Sequence, residues 1–426
     1  MELHQLHKLF LDSTGVSTDT RKIKPGSIFF ALKGENFNAN EFAAEALEKG
    51  AAHAVIDEDI PTQDKKMIRV ENVLKALQEL ATFHRKHLKL PILALTGSNG
   101  KTTTKELINA VLSKKFNTVA TTGNLNNHIG VPLSLLSMTG DTEIGIIEMG
   151  ANHQKEIEFL CNIALPDFGY ITNFGKAHLE GFGSVAGVIK GKKELYDHLK
   201  QHQKMLFLNL DDELQKEEIN YPRVYSFGTK AEAHVTVKYL QKNSFAGIEV
   251  DDQSIYGNLT GSFNGTNMAA AYSIGKYFEV DPKKIKAALE EYIPQNNRSQ
   301  IILKDNRKII LDAYNANPSS MAAALDNLSS MENSPKIAIL GDMFELGSTS
   351  REEHEDLMKN LQESNIDKAY LIGSNFYGTS TIPGKVKKFE TFEQFKDWFQ
   401  PSEFNSGVIL IKGSRGMALE RVLELL

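Results

Sequence analysis

One stretch limits what this chain can become more than any other: Pro91-Ile-Leu-Ala-Leu-Thr-Gly-Ser-Asn-Gly-Lys-Thr-Thr-Thr-Lys105. The apolar run from Ile92 to Leu95 reads as a buried strand. It breaks into Thr96-Gly97-Ser98-Asn99-Gly100, and a helix follows with Leu107, Ile108, Val111 and Leu112 on one face. Strand, glycine loop, Lys-Thr and helix form a phosphate cradle. Gly97 and Gly100 let the backbone approach phosphates, while the N–H groups of Ser98, Asn99 and the helix N-terminus meet negative charge. Lys101 reaches the terminal phosphates, and the hydroxyl of Thr102 or Thr103 suits a metal ion. The common pattern has another glycine where Leu95 stands, yet Gly-Lys-Thr still opens the helix. The stretch predicts an ATP or GTP site.

The chain has 426 residues, which at ordinary domain sizes means about three domains. With 41% hydrophobic and 24% charged residues it has the composition of a soluble globular protein. A net charge of −6 and the lack of a long Lys/Arg block argue against nucleic acid as a partner. The single cysteine, Cys161, excludes an internal disulfide and a cysteine-based zinc cluster, and reads as a buried structural thiol. No stretch approaches 18 apolar residues, and no basic-then-apolar leader opens the sequence. A cytoplasmic protein is expected.

Residues 1–89 read as a small α/β unit, with strands at Ser27–Leu32 and Ala54–Ile56 around a helix at Glu41–Lys49. Polar clusters at Asp19-Thr20-Arg21 and Lys33–Asn38 are either solvated loops or a small-molecule pocket at strand ends. Residues 90–298 alternate strand and helix signals, which implies a mostly parallel sheet with ligands at the carboxyl ends of its strands. Gly145–Gly150 and Tyr170–Gly175 are such strands, and they place Glu148 and His178 at strand ends. A Mg²⁺ held by nucleotide prefers hard oxygen ligands and keeps waters, so Thr102 or Thr103 with Glu148 makes a sensible partial shell. Lys192, in a Lys-rich helical run, is not distinguishable by itself from an exposed helix charge. Residues 299–426 alternate again. Ser350-Arg-Glu-Glu353 looks like a capping box, and polar runs at Asp312–Pro318, Gly341–Gly347 and Lys412–Gly416 follow predicted strands.

Four motifs occur in order: Thr96-Gly-Ser-Asn-Gly-Lys-Thr-Thr-Thr104, Glu148-Met-Gly-Ala151, Ile171-Thr-Asn-Phe-Gly-Lys-Ala-His-Leu-Glu180 and Tyr314-Asn-Ala-Asn-Pro318. Together they closely resemble the Mur ligases of peptidoglycan synthesis. Asp19-Thr-Arg21, Pro25–Asn36 and Lys412-Gly-Ser-Arg415 extend the resemblance over essentially the whole chain. It implies three α/β domains: a small N-terminal domain that grips a UDP-sugar, a central P-loop domain with a parallel sheet that holds ATP, and a C-terminal Rossmann-like domain that brings the incoming amine.

By resemblance, Asp19, Thr20, Arg21, Lys33 and Asn36 belong to the UDP-substrate pocket. Asn126, Asn315, Asn317, Lys412, Ser414 and Arg415 would contact substrate. Asn264 and Asn267 match adenine contacts, Arg298 matches the nucleotide-binding arginine that follows the central domain, and Asp312 and Tyr314 meet the nucleotide from the third domain. Glu148 with a loop threonine would hold Mg²⁺. His178 would help hold a second ion, with Lys192 where relatives carry a CO₂-carbamylated lysine. Lys101, His178 and Lys192 are the expected catalytic residues. The branch most resembled joins D-alanyl-D-alanine to a UDP-N-acetylmuramoyl tripeptide through an acyl phosphate, and a monomer is expected. The rivals are another amide ligase of the superfamily, adding the third peptide residue or extending folate, and a nucleotide-binding ATPase without ligase chemistry. The diaminopimelate-adding branch carries an Asp-Asn-Pro-Arg run that is absent here.

Overall fold

The computed structural model describes residues 1–60, 64–295, 297–332 and 334–426. Asn296, in the polar run before Arg298, lies outside the described residues. Three parallel or mostly parallel sheets follow one another along the chain, each wrapped by its own helices.

The first has four parallel strands in the order Val16–Ser17, Ile28–Phe30, His53–Ile56, Met67–Arg69. Phe29 and Ala54 face the helix Ala43–Glu48, whereas Ile28, Phe30 and Val55 face the long helix Val73–Leu88. Asn72 caps that helix by accepting the Lys75 N–H at 2.8 Å. Lys89, left-handed at φ +55°, ends it and turns the chain into the second unit.

The central sheet has seven parallel strands, in the order Val235–Thr236, Val224–Gly228, Met205–Asn209, Phe168–Ile171, Ile92–Thr96, Ile144–Glu148, Thr118–Ala120. The strand Ile92–Thr96 is fully buried between two neighbours that run the same way. A strand covered on both faces needs an unbroken apolar run, and Ile92-Leu-Ala-Leu95 supplies one. The helix Lys101–Leu112 then packs on the helix Phe263–Tyr277, the two sharing the core of Leu107, Ile108, Val111, Met268 and Ala271. Gly275 makes that approach possible, since a Cβ there would lie 2.4 Å from Val111 Cγ1.

Between the last central strand and that helix comes an antiparallel meander of Lys238–Lys242, Phe245–Val250 and Gln253–Thr260. It departs from the expected strand–helix alternation. The third sheet has six strands in the order Gln300–Lys304, Arg307–Asp312, Gly407–Lys412, Lys336–Gly341, Lys368–Ile372, Val386–Phe389, all parallel except the first pair.

The capping box expected at Ser350–Glu353 does not form. Ser350 is already inside the helix Ser350–Glu363, which has no side-chain cap. Glu353 instead pairs with Lys176 Nζ at 2.7 Å. A cross-domain cation thus takes the carboxylate that a local N–H was expected to hold. Among the described residues no helix is long and apolar enough to cross a membrane.

Candidate functional site

The carboxyl ends of the central strands and those of the third sheet line one cavity of about 560 Å³. Its floor is the loop after Thr96. Gly97, at φ +143°, lies so close to the next strand that a Cβ would fall 2.0 Å from Thr172 Oγ1. Gly100, at φ +77°, precedes the helix without any side-chain cap, which leaves the first N–H groups of Lys101–Leu112 free for an anion. Lys101 folds back over the loop and donates to the carbonyls of Gly97 at 2.7 Å and Ser98 at 3.2 Å. Burial lowers its pKa to about 8; Glu148 opposes the shift and Arg298 adds to it. Such an ammonium is short of solvation and suited to a polyanion.

Glu148 is 1% exposed. Its two oxygens accept from Thr102 Oγ1 at 2.9 Å and Asn126 Nδ2 at 2.8 Å. Thr121 Oγ1 accepts the Glu148 N–H at 3.0 Å. The buried carboxylate is therefore held by hydroxyl and amide groups rather than paired with a lysine. Of the two threonines considered, Thr102 is the one on the carboxylate; Thr103 lines the cavity beside it. Among the described residues no cluster of three or more His, Cys, Asp or Glu could hold a metal alone. One carboxylate and one hydroxyl fit Mg²⁺, which keeps waters and shares phosphate oxygens.

Asn264 and Asn267 are buried in a chain of amides behind the loop. Thr104 Oγ1 donates to Asn267 Oδ1, Asn267 Nδ2 to Asn264 Oδ1, and Asn264 Nδ2 to the Thr260 carbonyl, at 3.0, 2.8 and 2.7 Å. Both line the cavity, so their faces border it while their amides brace the helix packing.

His178 sits at φ +53° with Nδ1 2.5 Å from Glu345 Oε2 of the third domain. The ring N–H is not aligned as a hydrogen bond, so ring nitrogen and carboxylate oxygen meet only by close approach. The imidazole holds the Glu345 carboxyl below its usual range. Burial, reinforced by the charge of Lys101, drives the Lys192 amine well below the usual lysine range, with Glu156 and Glu194 opposing. Lys192 is fully buried, 3.3 Å from the Ala151 carbonyl and 5.1 Å over the Phe182 ring. Lys190 is exposed and Lys193 pairs with Glu217, so Lys192 is the lysine of that run that points inward. It does not itself line the cavity.

At the start of the third domain, the boundary residue Arg298 stacks 3.7 Å over the Tyr314 ring, and Arg415 lies 6.0 Å from it on exposed ground. Asp312 accepts from Lys412 Nζ at 2.5 Å and from the Ser299 N–H at 3.1 Å; the two side chains stand on paired positions of adjacent strands. Asn315 is exposed. Asn317 caps the helix Pro318–Ser329 and also donates to Asn99 Oδ1 at 2.8 Å. Ser414 accepts the Phe344 N–H, and Arg415 pairs with Glu420; neither lines the cavity.

The N-terminal residues are not brought there. Asp19 and Arg21 pair with each other at 2.8 Å beside Thr20, and burial is so slight that Arg21 is 85% exposed. Lys33 pairs with Asp57 and Glu58, and Asn36 is exposed at the tip of the hairpin. They form a separate polar surface of the first domain.

Sequence reasoning missed several groups. Asn173 clasps Asn99 from both sides, accepting its N–H and donating to its carbonyl, each at 3.0 Å. Thr172 donates to the same carbonyl at 2.6 Å. The signal was present in the Thr-Asn run after the strand Phe168–Ile171, but its partner is 73 residues away. Lys176, Ser319, Glu345 and Glu353 were invisible as a set because they meet only across two domains.

Compared with known proteins, the chain matches the model described as "Mur ligase family, catalytic domain" over residues 12–85, "Mur ligase middle domain" over 95–275 and "Mur ligase, glutamate ligase domain" over 297–415. It is 34% identical to the UDP-N-acetylmuramoyl-tripeptide--D-alanyl-D-alanine ligase of Bacillus subtilis, over 96% of this chain and 92% of that protein. The crystal structure of MurF from Acinetobacter baumannii superposes with a TM-score of 0.87 at 29% identity, covering 100% of this chain and 98% of the other. The MurF ligase of Thermotoga maritima, solved in complex with ADP, gives 0.83 at 28% identity, covering 98% and 97%.

Proposed function

Because the chain belongs to the Mur ligase family, we propose that it joins D-alanyl-D-alanine to a UDP-N-acetylmuramoyl tripeptide with ATP. The observation that carries this reading is the single cavity that sets a phosphate loop and a buried carboxylate against the polar strand ends of the third domain. An ATPase without a second substrate has no use for that opposing wall. The full-length match to ligases of this specificity favours it over the third-residue-adding and folate-extending branches.

In this reading the tripeptide carboxylate attacks the γ-phosphorus, and the bond to the β–γ bridging oxygen breaks to release ADP. The amine of D-alanyl-D-alanine then attacks the carbonyl carbon of the acyl phosphate. The carbon–oxygen bond to phosphate breaks, phosphate leaves with the electron pair, and the amine gives up a proton as the amide forms. Lys101 and the uncapped N–H groups that open the helix Lys101–Leu112 donate to the phosphoryl oxygens, where charge grows; the N–H groups of Ser98 and Asn99, expected to share this role, are held by Asn173 instead. Gly97, Ser98, Asn99 and Gly100 shape the cradle. Arg298 at the domain boundary and Tyr314, Asp312 and Lys412 of the third domain close it, with Asn315 and Asn317 at its rim. Asn264 and Asn267 border the nucleotide base. A Mg²⁺ ion held by Thr102 and Glu148 would neutralise phosphate charge, and His178 with a carbamylated Lys192 would serve a second ion. Asn126 orients the Glu148 carboxylate and Thr103 stands next to it.

The first domain, through Asp19, Thr20, Arg21, Lys33 and Asn36, takes the UDP end, with Ser414 and Arg415 beside the amine. Domain bounds of 1–89, 90–298 and 299–426, a monomer and a cytoplasmic location complete the reading.

Phosphate release from ATP tests it, with UDP-muramoyl tripeptide and either the dipeptide or single amino acids as acceptor. Release that requires tripeptide and dipeptide together is expected. Turnover with a single amino acid on a shorter peptide would move the enzyme to another branch, and tight ATP binding with no turnover would leave only the nucleotide site.

A further inference from the structure

Three pairs of side chains cross beside the cavity from the central domain to the third, and the Lys176 N–H also donates to Ser319 Oγ at 2.9 Å. Asn317 Nδ2 donates to Asn99 Oδ1, Lys176 Nζ pairs with Glu353, and Glu345 lies against His178 Nδ1. Only the last ends on a side chain expected to act in the reaction. The main chain reinforces it: the Glu180 N–H donates to the Glu345 carbonyl at 3.2 Å. Gly347 packs so near that a Cβ there would lie 3.3 Å from Glu180 Cβ. Both ends of the link have left-handed backbone, φ +53° at His178 and +61° at Glu345. Residues other than glycine hold that conformation where surrounding contacts impose it, often at functional sites.

Stability is a poor explanation for the pair. The Glu345 side chain is 51% exposed, and an ion pair that wet contributes little to folding. Its effect is on direction. A carboxylate oxygen 2.5 Å from Nδ1 limits the ring's rotation and, although no straight hydrogen bond joins them, favours a proton on Nδ1, which leaves the Nε2 lone pair for the cavity that His178 lines. The carboxylate comes from the other domain, so the ring is fixed only while the two domains are together.

We propose that Glu345 is a positioning residue that orients His178 when the third domain closes on the central one, so that closure and competence of the site are one event. The activity arm of the proposal rests on the ligase reading above; the geometric arm does not.

The test uses the full-length chain and the variants Glu345→Ala, Glu345→Gln and Glu353→Gln. Glu345→Ala is expected to lower kcat about 10- to 100-fold, the usual cost of removing a group that orients an active histidine, with the KM for ATP within about threefold. Glu345→Gln keeps an acceptor oxygen and recovers part of the loss. Glu353→Gln weakens a neighbouring link without touching His178, and shifts kcat by less than about threefold.

The second readout is the ring ¹⁵N spectrum of histidine-labelled protein with a non-hydrolysable ATP analogue, the His178 signals being assigned with His178→Gln. Wild type should show one Nδ1-protonated tautomer, and Glu345→Ala a mixture. Unchanged ring signals in Glu345→Ala overturn the proposal, as does a kcat within about twofold of wild type or an equal loss in Glu345→Ala and Glu345→Gln. If wild type fails to turn over with the dipeptide, the ligase reading has failed, and the ring spectrum alone decides the positioning role.

Discussion

A fully buried lysine with no ion pair among the described residues is uncommon, and Lys192, on a helix packed against the central sheet, is one. Burial and the nearby charge of Lys101 favour its neutral amine. The neutral amine is the form that adds CO₂: nitrogen attacks carbon, an N–H proton is lost, and the product is an anionic carbamate with two oxygen donors. Protein equilibrated with ¹³C-bicarbonate should therefore give a carbamate carbonyl signal that is missing in Lys192→Arg. Lys192→Met should lower kcat/KM by about 100-fold or more, as expected when an electrostatic group of a phosphoryl-transfer site is removed. A signal that survives in Lys192→Arg would sink the assignment. At this scale the chain was legible where the chemistry is local. Gly97, Gly100, Lys101, Thr102 and Glu148 stand together as their motifs imply. Lys192 was less so, because three lysines lie within four positions and only facing distinguishes them. In retrospect Val188, Lys192, Leu195 and Leu199 recur at helical spacing on the buried face of Val185–Gln201.

Between elements, the tightest tolerance lies where the helix behind the phosphate loop meets Phe263–Tyr277. Alanine at Gly275 would favour the helix by about 1 kcal/mol on propensity alone. The new methyl, however, would meet Val111 Cγ1 at 2.4 Å and Ile285 Cδ1 at 3.1 Å. Val111 is fully buried and β-branched, so it has no rotamer into which to retreat. Overpacking of this kind costs about 1–3 kcal/mol and wins. Gly275→Ala should lower the calorimetric transition temperature of the central unit by a few degrees, whereas a rise would show that the two helices separate easily. Parallel strands and their helices were readable from apolar runs punctuated by glycine. The meander of residues 238–260 was not: its first strand is polar and mostly exposed, and Asn243, Ser244, Asp251 and Asp252 form the positive-φ turns without glycine. Ser350–Glu353 misled for a different reason, because a capping pattern describes local partners and Lys176 is not local.

The two joints of the molecule differ in kind. The third domain meets the central one through polar pairs such as Lys176–Glu353, whose lysine is half-exposed although its carboxylate is buried, as suits surfaces that part and meet. The first domain is joined through buried groups. His84 Nε2 donates to the Met138 carbonyl at 2.9 Å, which leaves its Nδ1 to accept from His7 Nε2 at 3.1 Å. That relay requires His84 to be neutral, since a proton on its Nδ1 would face the His7 N–H, and burial keeps His7 neutral beside it. Phe10, Phe83 and His87 surround the pair, and no carboxylate pairs with either ring. Burial chiefly, then the charges of His84 and His87, lower the His7 pKa from 6.5 to about 4, and burial lowers that of His84 as well. With folded values below unfolded ones, the unfolded chain binds more protons in this window. Stability is intact above pH 6.5 and is lost as the pH falls towards 4. Between pH 7 and 5 His7 alone should remove about 2 kcal/mol, read as a falling calorimetric transition of the first two units. His7→Phe keeps a ring in the cluster and cannot take up the proton, so its transition should fall less steeply over the same range. Equal slopes in the two proteins would show that the joint is held by something other than the neutral histidine pair.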